Sequence, residues 1–295
     1  MPPALQASRR FVLSSLLLCA SPRLWAQNTP QRFIYPANEI PNDTRFADLI
    51  EILRTALDKT TPEFGPYQLS PAQEPMSKAR YMALLEQGRE PNIVWSSTSI
   101  ELEQQFLPLR IPLRRGLLGY RLCLIHQEMQ EKLDQALNLA QLKHFSVGQG
   151  TNWGDARIYE ALGMQVVRAK YGNLFAMLDN RRFDLFPRGV NEIFAEYEQH
   201  KAAFPNLRIE KNLVLHYPWP YYFFFAKGDA ARRRRIESGL RMMLKDGSFQ
   251  TIFQKHHATA LAQADLGRRR LLRLHNPLLP PQTPLQDASL WHNLR

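Results

Sequence analysis

The segment Val147-Gly148-Gln149-Gly150-Thr151-Asn152-Trp153 decides the fold of this chain, because it puts a glycine-rich turn between an apolar strand and a helix. The residues before the turn predict a strand over 145–147, and the residues after it predict a helix over 154–162. A strand, a turn and a helix in this order, repeated along a chain, are typical of a mostly parallel sheet covered by helices.

The chain before this segment alternates in the same way. The apolar side chains between residues 45 and 59 have the spacing of an amphipathic helix: Phe46, Leu49, Ile50, Leu53 and Leu57. The elements predicted here are strand 32–36, helix 45–59, strand 67–69, helix 77–87 and strand 92–96. Together they indicate a first α/β unit.

The alternation breaks where Pro108, Pro112, Gly116 and Gly119 punctuate the chain, and an apolar strand over 120–125 follows. We interpret this section as a crossing between two units. Beyond the central segment the predicted elements are strand 165–167, helix 173–180, strand 183–186, helix 191–200, a very apolar strand over 221–226 and a helical region over 230–255.

The predicted fold class is therefore α/β, with two α/β lobes joined by a hinge of two strands. The predicted limits are 27–120 for the first part of lobe 1, 121–220 for lobe 2 and 221–270 for the return to lobe 1. Residues 271–295 form a tail in which four prolines prevent regular structure, namely Pro277, Pro280, Pro281 and Pro284. We expect this tail to wrap the surface or to stay mobile.

Residues 1–26 have the pattern of a secretory signal peptide. Arg9 and Arg10 precede the apolar stretch 11–20, and Ala26 offers a small residue for cleavage. Residues 8–13 resemble a twin-arginine signal, but Val12 stands where that pattern prefers phenylalanine, so ordinary secretion is favoured. We expect export to the periplasm with cleavage near Ala26. No later stretch is apolar enough to span a bilayer, so we expect a soluble processed chain.

Charge and cysteine content narrow the classes of partner. The 295 residues carry a formal net charge of +11, which falls to +8 if the arginines at 9, 10 and 23 leave with the signal. Nucleic acid is the usual partner of so basic a chain, but it is not the expected partner of an exported protein. Cleavage would leave Cys123 as the one cysteine, so we expect no intramolecular disulfide and an unreactive, buried thiol.

The sequence contains none of the common catalytic or metal-binding motifs. It has no Gly-x-Ser-x-Gly elbow, phosphate-binding loop, His-Glu-x-x-His segment or paired-cysteine site. His256 and His257 are adjacent, and adjacent helical positions point in different directions. Asp155 and Glu160 are five residues apart, so they do not stack on one helical face. We therefore expect no enzyme activity, no metal and no cofactor.

Candidate ligand-binding residues follow the predicted strands, because ligands of open α/β sheets bind beyond the carboxyl ends of the strands. The candidates are Tyr35, Trp95, Ser96, Ser97, Thr98, Arg115, Thr151, Asn152, Trp153 and Arg188. The helix start after Thr151 favours an anion, and Arg188 would clamp a carboxylate through two hydrogen bonds. The alternatives are that Arg188 pairs with Glu192, one helical turn away, or with another carboxylate, and that both tryptophans belong to the core.

Three segments resemble the family 3 extracellular solute-binding proteins, which include the amino-acid-binding proteins of ABC importers. Residues 147–153 resemble the segment that opens their second lobe, 178–186 is similar to their helix-turn-strand segment, and 221–229 is similar to their return strand. With the order of elements, the resemblance covers residues 32–257. It implies the periplasmic binding protein type II fold, a small-molecule ligand, a monomeric chain, and a membrane permease or sensor as partner.

Two positions depart from the pattern of this family. Its members commonly have Ser-x-Pro-Tyr where this chain has Arg110-Ile111-Pro112-Leu113, and often an aspartate for the ligand's ammonium group where this chain has Pro187-Arg188-Gly189. The expected ligand is therefore anionic or amino-acid-like. Three functions stay open: capture of a solute for an ABC importer, ligand binding for a membrane sensor or another envelope process, and an enzyme of the same fold such as a cyclohexadienyl dehydratase.

Overall fold

The computed structural model describes residues 29–38, 44–136 and 138–293. The predicted signal peptide, its cleavage near Ala26 and its arginines lie outside the described residues. None of the helices in the described part of the chain is both long and apolar enough to cross a membrane.

The described residues alternate between strands and helices along most of the chain. The strands are β1 (Gln31–Ala37), β2 (Tyr67–Pro75), β3 (Val94–Ser97), β4 (Leu107–Leu109), β5 (Tyr120–His126), β6 (Val147–Gly150), β7 (Val166–Ala169), β8 (Phe186–Gly189), β9 (Leu207–Ile209), β10 (Leu213–His216), β11 (Tyr221–Phe225) and β12 (Arg270–Arg273). The helices are α1 (Ala47–Phe64), α2 (Lys78–Glu86), α3 (Ile100–Gln105), α4 (Gln130–Asp134), α5 (Leu139–Leu142), α6 (Asp155–Ala161), α7 (Tyr171–Asp179), α8 (Ile193–His200), α9 (Ala230–Asp246) and α10 (Ser248–Ala264).

Each predicted helix or strand overlaps an observed element of the same type, but two boundaries differ. The strand predicted over 183–186 begins later, at Phe186, because Leu185 makes only an isolated bridge before β8 joins the ladder with β5. Arg188 therefore lies inside a strand and does not follow one. The helical region predicted over 230–255 is two helices, since Gly247 adopts a φ of +82° and ends α9.

The first lobe is built on two groups of strands that hydrogen bonds connect. β1 pairs with β2 in parallel, and β11 pairs with β3 and β4 in antiparallel fashion. Hydrogen bonds link β1 to the segment before β3. The Ile34 N–H donates to the side-chain oxygen of Asn92 at 3.0 Å, and the Asn92 N–H donates to the Ile34 carbonyl at 2.9 Å. Helices α1 and α9 cover one face, and their apolar side chains share a buried cluster with β3 and β11.

The second lobe contains the sheet order β12-β10-β5-β8, with β9 paired to β5. β6 pairs with β7 in parallel, and Val147 of β6 bridges Leu185 just before β8. Buried apolar clusters lie on both sides of these strands. The parallel strand β6 ends where the turn of residues 151–154 leads into α6, as the central segment of the sequence predicts.

Two chain crossings between the lobes lie side by side. The first is residues 113–119 and the second is residues 217–220. The Tyr217 N–H donates to the Gly119 carbonyl at 3.2 Å, and the Leu113 N–H donates to the Tyr221 carbonyl at 2.9 Å. A Cβ on Gly119 would overlap the Tyr217 carbonyl oxygen, so this close approach requires glycine. The predicted lobe limits and the two-strand hinge stay predictions.

The chain after α9 contacts both lobes, which differs from the predicted return to lobe 1 over 221–270. The first half of α10 packs in the core of lobe 1, whereas Phe253 and Ala264 pack in the core of lobe 2. β12 pairs in parallel with β10 of lobe 2 and so adds one strand to that sheet. The proline-rich tail then returns to lobe 1, where Leu290 and Trp291 join the core cluster.

Candidate functional site

The predicted site residues of lobe 1 are mostly part of its packing. Trp95 is 4% exposed and lies between the rings of Tyr35 and Phe46, with centroids 5.8 and 5.5 Å away. Thr98 is buried and donates to Glu103 at 2.7 Å. Trp95 is therefore part of the hydrophobic core, as the alternative interpretation holds.

The two serines at the end of β3 lie in different surroundings. Ser96 is buried, and its hydroxyl accepts a hydrogen bond from the Lys78 amine at 2.7 Å. Ser97 is half-buried and pairs with Tyr221 of β11. Tyr35 is also half-buried, but it lies within β1, and burial raises the pKa of its phenol. Ser97 and Tyr35 thus keep accessible surface.

Arg115 is held by the C-terminal tail. Its guanidinium donates to the carbonyls of Ser289 and Trp291 at 3.0 and 3.2 Å, and also to the side chain of Gln250. Its backbone has a φ of 49°, in the left-handed region, so the direction of the side chain is set by the crossing and the tail together. Its contacts support a structural role for Arg115.

In lobe 2, the turn before α6 is accessible and the tryptophan after it is packed. Thr151 and Asn152 are exposed, whereas Trp153 is half-buried and stacks on Phe186 at an interplanar angle of 14°. The guanidinium of Arg188 lies 4.5 Å from the Trp153 ring centroid. That these three residues border a ligand stays a prediction.

Arg188 is neutralised by two carboxylates of its own lobe. It donates twice to Glu196, at 2.6 Å each, and pairs with Glu192 at 3.0 Å, while its side chain is only 9% exposed. The predicted clamp for an anionic ligand is thus already occupied. The alternative, pairing with Glu192, is what the structure contains, and Glu196 adds a second partner that the spacing of one helical turn does not reveal.

Two buried arginines that the sequence analysis did not select flank the crossings. Arg114 in lobe 1 donates to Asp48 at 2.6 and 2.8 Å. Burial alone would raise the pKa of Asp48, but Arg114 holds it well below its usual range. Arg121 in lobe 2 donates to Asp155 at 2.7 Å and to the Tyr217 hydroxyl at 3.0 Å. Both guanidiniums are therefore satisfied within the protein.

Among the carboxylates that pair with Arg114, Arg121 and Arg188, Glu192 has the most exposed side chain. One carboxylate oxygen, Oε2, accepts from the Gly189 N–H at 3.2 Å and lies 3.0 Å from Arg188 and 3.8 Å from Arg121. Burial raises the pKa of Glu192, but Arg188 and Arg121 lower it more, so the group stays ionised. Its side chain is nevertheless 31% exposed. Glu192 is thus an ionised group that is partly buried and still accessible to solvent.

Residues from lobe 1 face this carboxylate. The charge of Glu192 contributes to the raised pKa values of Tyr221 and Arg114, which both belong to lobe 1. Burial is the main influence on Tyr221, whose pKa rises to about 12, so the phenol keeps its proton at neutral pH. Tyr221 is half-buried, and its ring lies 5.4 Å from the Arg114 guanidinium. Polar groups of the two lobes thus meet beside the crossings.

The described residues contain no cluster of three or more histidine, cysteine, aspartate or glutamate side chains that could hold a metal ion. Cys123 is buried, and burial raises the pKa of its thiol. Two surface depressions of about 420 and 480 Å³ lie on lobe 1, beside Lys59 and beside Arg232, and neither is lined by Glu192 or Tyr221. The polar groups between the lobes are therefore the strongest candidate site.

No protein-family model and no curated protein sequence matches this chain. Among solved structures, it is similar to a probable amino-acid ABC transporter extracellular-binding protein from Bacillus subtilis, with 16% identity, a TM-score of 0.55, and coverage of 77% of this chain and 98% of the other. An L-arginine-bound amino acid ABC transporter substrate-binding protein from Streptococcus pneumoniae has 14% identity, a TM-score of 0.52, and coverage of 77% and 94%.

A third similar structure is a Salmonella typhimurium periplasmic binding protein described as having high arginine specificity, with 16% identity, a TM-score of 0.51, and coverage of 77% and 98%. At these identities the likeness concerns the fold, which nearly the whole length of each neighbour shares. The structural neighbours of this chain are substrate-binding proteins of amino-acid ABC transporters, and the chain has the two-lobed α/β fold of the periplasmic binding proteins.

Proposed function

We propose that this chain binds an amino-acid-like solute between its two lobes and delivers it to an ABC importer outside the cytoplasm. The fold of its neighbours, which are named as binding proteins of such importers, supports this role. The observation that carries the proposal is the accessible carboxylate of Glu192, whose charge acts on Tyr221 and Arg114 of the opposite lobe.

Glu192 would bind the amine of the solute. Its Oε2 atom is engaged by the Gly189 N–H and by Arg188, but an ionised carboxylate can accept about four hydrogen bonds. Its remaining acceptor sites are thus available to an ammonium group. A charge-assisted hydrogen bond to a partly buried group is stronger than one on an open surface.

Tyr221 would close the site from lobe 1. Its phenol stays protonated at neutral pH because burial and Glu192 raise its pKa, so it can donate a hydrogen bond to the solute. Contacts from both lobes to one ligand favour the closed arrangement of a two-lobed protein, because the ligand binds that arrangement more tightly than the open one.

The predicted site residues then divide by role. Accessible side chains can border the solute: Tyr35, Ser97, Thr151, Asn152 and Trp153. The others support the site from within: Trp95, Ser96, Thr98, Arg115 and Arg188. We further propose that the chain is exported, acts as a monomer beside a membrane permease, and does not convert its ligand.

Isothermal titration calorimetry with the twenty common amino acids tests this function. We expect at least one to bind, and we expect Glu192→Gln to weaken that binding at least tenfold. The matched control is Glu198→Gln, since Glu198 is exposed on α8 and pairs only with Lys201 among the described residues. The proposal fails if no amino acid binds, or if Glu192→Gln and Glu198→Gln bind with equal affinity.

A further inference from the structure

Lys78 opens helix α2 and reaches the end of strand β3 in lobe 1. Its Nζ atom donates to the Ser96 hydroxyl at 2.7 Å, and Ser96 is the third of the four residues of β3. The next residue, Ser97, pairs with Tyr221. The amine of Lys78 is therefore held at the carboxyl end of β3, where ligands of α/β sheets bind.

This end of β3 faces the second lobe. Helix α3 begins three residues after β3, and Glu101 in its first turn pairs with Arg157 of α6 at 3.0 Å. The amide N–H of Thr98 donates to the Pro220 carbonyl in the second crossing at 3.1 Å. Lys78 is thus on the interlobe side of lobe 1.

The charge of Lys78 has no counter-charge among the described residues. No carboxylate pairs with it, and burial, which lowers the pKa of its amine, is the one influence on that pKa. The residue is nevertheless exposed to solvent. The three interlobe arginines differ in this respect, because Arg114, Arg121 and Arg188 each pair with a carboxylate.

Among the described residues, the interlobe surfaces therefore include an unpaired cation, Lys78, and an accessible carboxylate, Glu192. An ammonium that no carboxylate pairs with gains from an anion, because opposite charges attract each other.

Building on the proposed function, we infer that the solute carries an anionic side chain besides its α-amino and α-carboxylate groups, that Lys78, held by the Ser96 hydroxyl, binds this side chain, and that Lys78 excludes solutes with a cationic side chain. The ligand class is thus that of the acidic amino acids. The arginine named for the structural neighbours would place its guanidinium against a like charge here.

Calorimetric titration of the chain with L-glutamate, L-aspartate, L-glutamine and L-arginine tests the inference. We expect an acidic amino acid to bind at least tenfold more tightly than glutamine, and arginine to bind weakest. Lys78→Gln should remove the preference for the acidic ligand while leaving glutamine binding within about threefold, since it removes only one charge. Lys78→Arg should keep most of the preference.

Charge reversal supplies a second variant. Lys78→Glu should shift the preference to arginine, whereas Lys143→Gln, at an exposed lysine of lobe 2, should change nothing. Preferential binding of arginine by the parent chain, or an unchanged ratio of acidic to neutral affinity in Lys78→Gln, overturns the inference while leaving the proposed function intact. Absence of binding by all four amino acids contradicts both.

Discussion

Glu192 of the second lobe lies close enough to Tyr221 of the first lobe for its negative charge to raise the pKa of the phenol. Burial contributes more to this shift, and Arg114 opposes it, but the result is a pKa of about 12. The relationship joins two residues that are 29 positions apart in sequence across the second crossing. It shows that the polar surfaces of the two lobes face each other.

Tyr221→Phe should weaken solute binding about fivefold to tenfold, because it removes one hydrogen-bond donor and leaves the ring in place. Calorimetry at neutral pH measures this change. The control is Tyr67→Phe, whose hydroxyl donates to Asp58 on the surface of lobe 1. Equal affinity in the two variants would show that Tyr221 does not contact the solute.

Gly119→Ala should destabilise the fold by about 2 kcal/mol or more, because the new Cβ would overlap the Tyr217 carbonyl oxygen in the neighbouring crossing. Gly172→Ala is the control: this glycine lies in α7, and a Cβ there would meet no atom within 4 Å. Alanine should stabilise that helix by up to about 1 kcal/mol. Urea unfolding compares the two variants, and equal stability would contradict the close approach of the crossings.

His216 should make the fold less stable in acid. Burial, assisted by Arg273, lowers the pKa of its imidazole from 6.5 to about 4 in the folded chain. The neutral form is thus favoured by folding, so this contribution is fully present above pH 6.5 and is lost as the pH falls through about 4. The loss should be on the order of 2 kcal/mol, since the ring is only partly buried.

The variant that tests this pH dependence is His216→Gln, because it removes the titrating group. Urea unfolding at pH 7 and pH 4.5 should give a smaller loss of stability in His216→Gln than in the parent chain. The exposed His275 provides the control substitution, His275→Gln, which should leave the pH dependence unchanged. A parallel pH dependence in all three chains would contradict the role of His216.

Trp291→Ala should destabilise the fold by about 2 to 3 kcal/mol, because the ring joins the lobe 1 core and covers Gly116 in the first crossing. Leu285→Ala, at a tail residue that is 45% exposed, should change the stability by less than about 0.5 kcal/mol. Thermal unfolding distinguishes them. Equal melting temperatures would mean that the tail adds nothing to the fold.

The sequence reveals the alternation of strands and helices because hydrophobic spacing is a local property. Phe46, Leu49 and Leu53 determine one face of α1 without reference to any distant residue. The start of β8 is less predictable, since Phe183 and Leu185 are as buried as the residues of the strand itself. Burial explains why residues 183–186 are mostly apolar, but the hydrogen bonds to β5 determine where the strand begins.

The chemistry of the site is harder to predict, because it depends on contacts between distant residues. The tail that engages Arg115 lies more than 170 positions away. Lys78 starts a helix, so a search limited to the residues after each strand misses it, although Ser96, its partner, is one of the predicted residues. The sequence also shows that Arg188 has a possible partner in Glu192, but it does not show that Glu196 completes the pairing.

A crystal structure of the chain grown with excess L-glutamate tests binding between the lobes most directly. We expect the ligand to lie between the lobes, with its amine on the free oxygen of Glu192 and its side-chain carboxylate on the Lys78 amine. Closure of the lobes would bring these two groups toward each other. A glutamate bound at any other place, with Glu192 and Lys78 both free of ligand, would contradict this account.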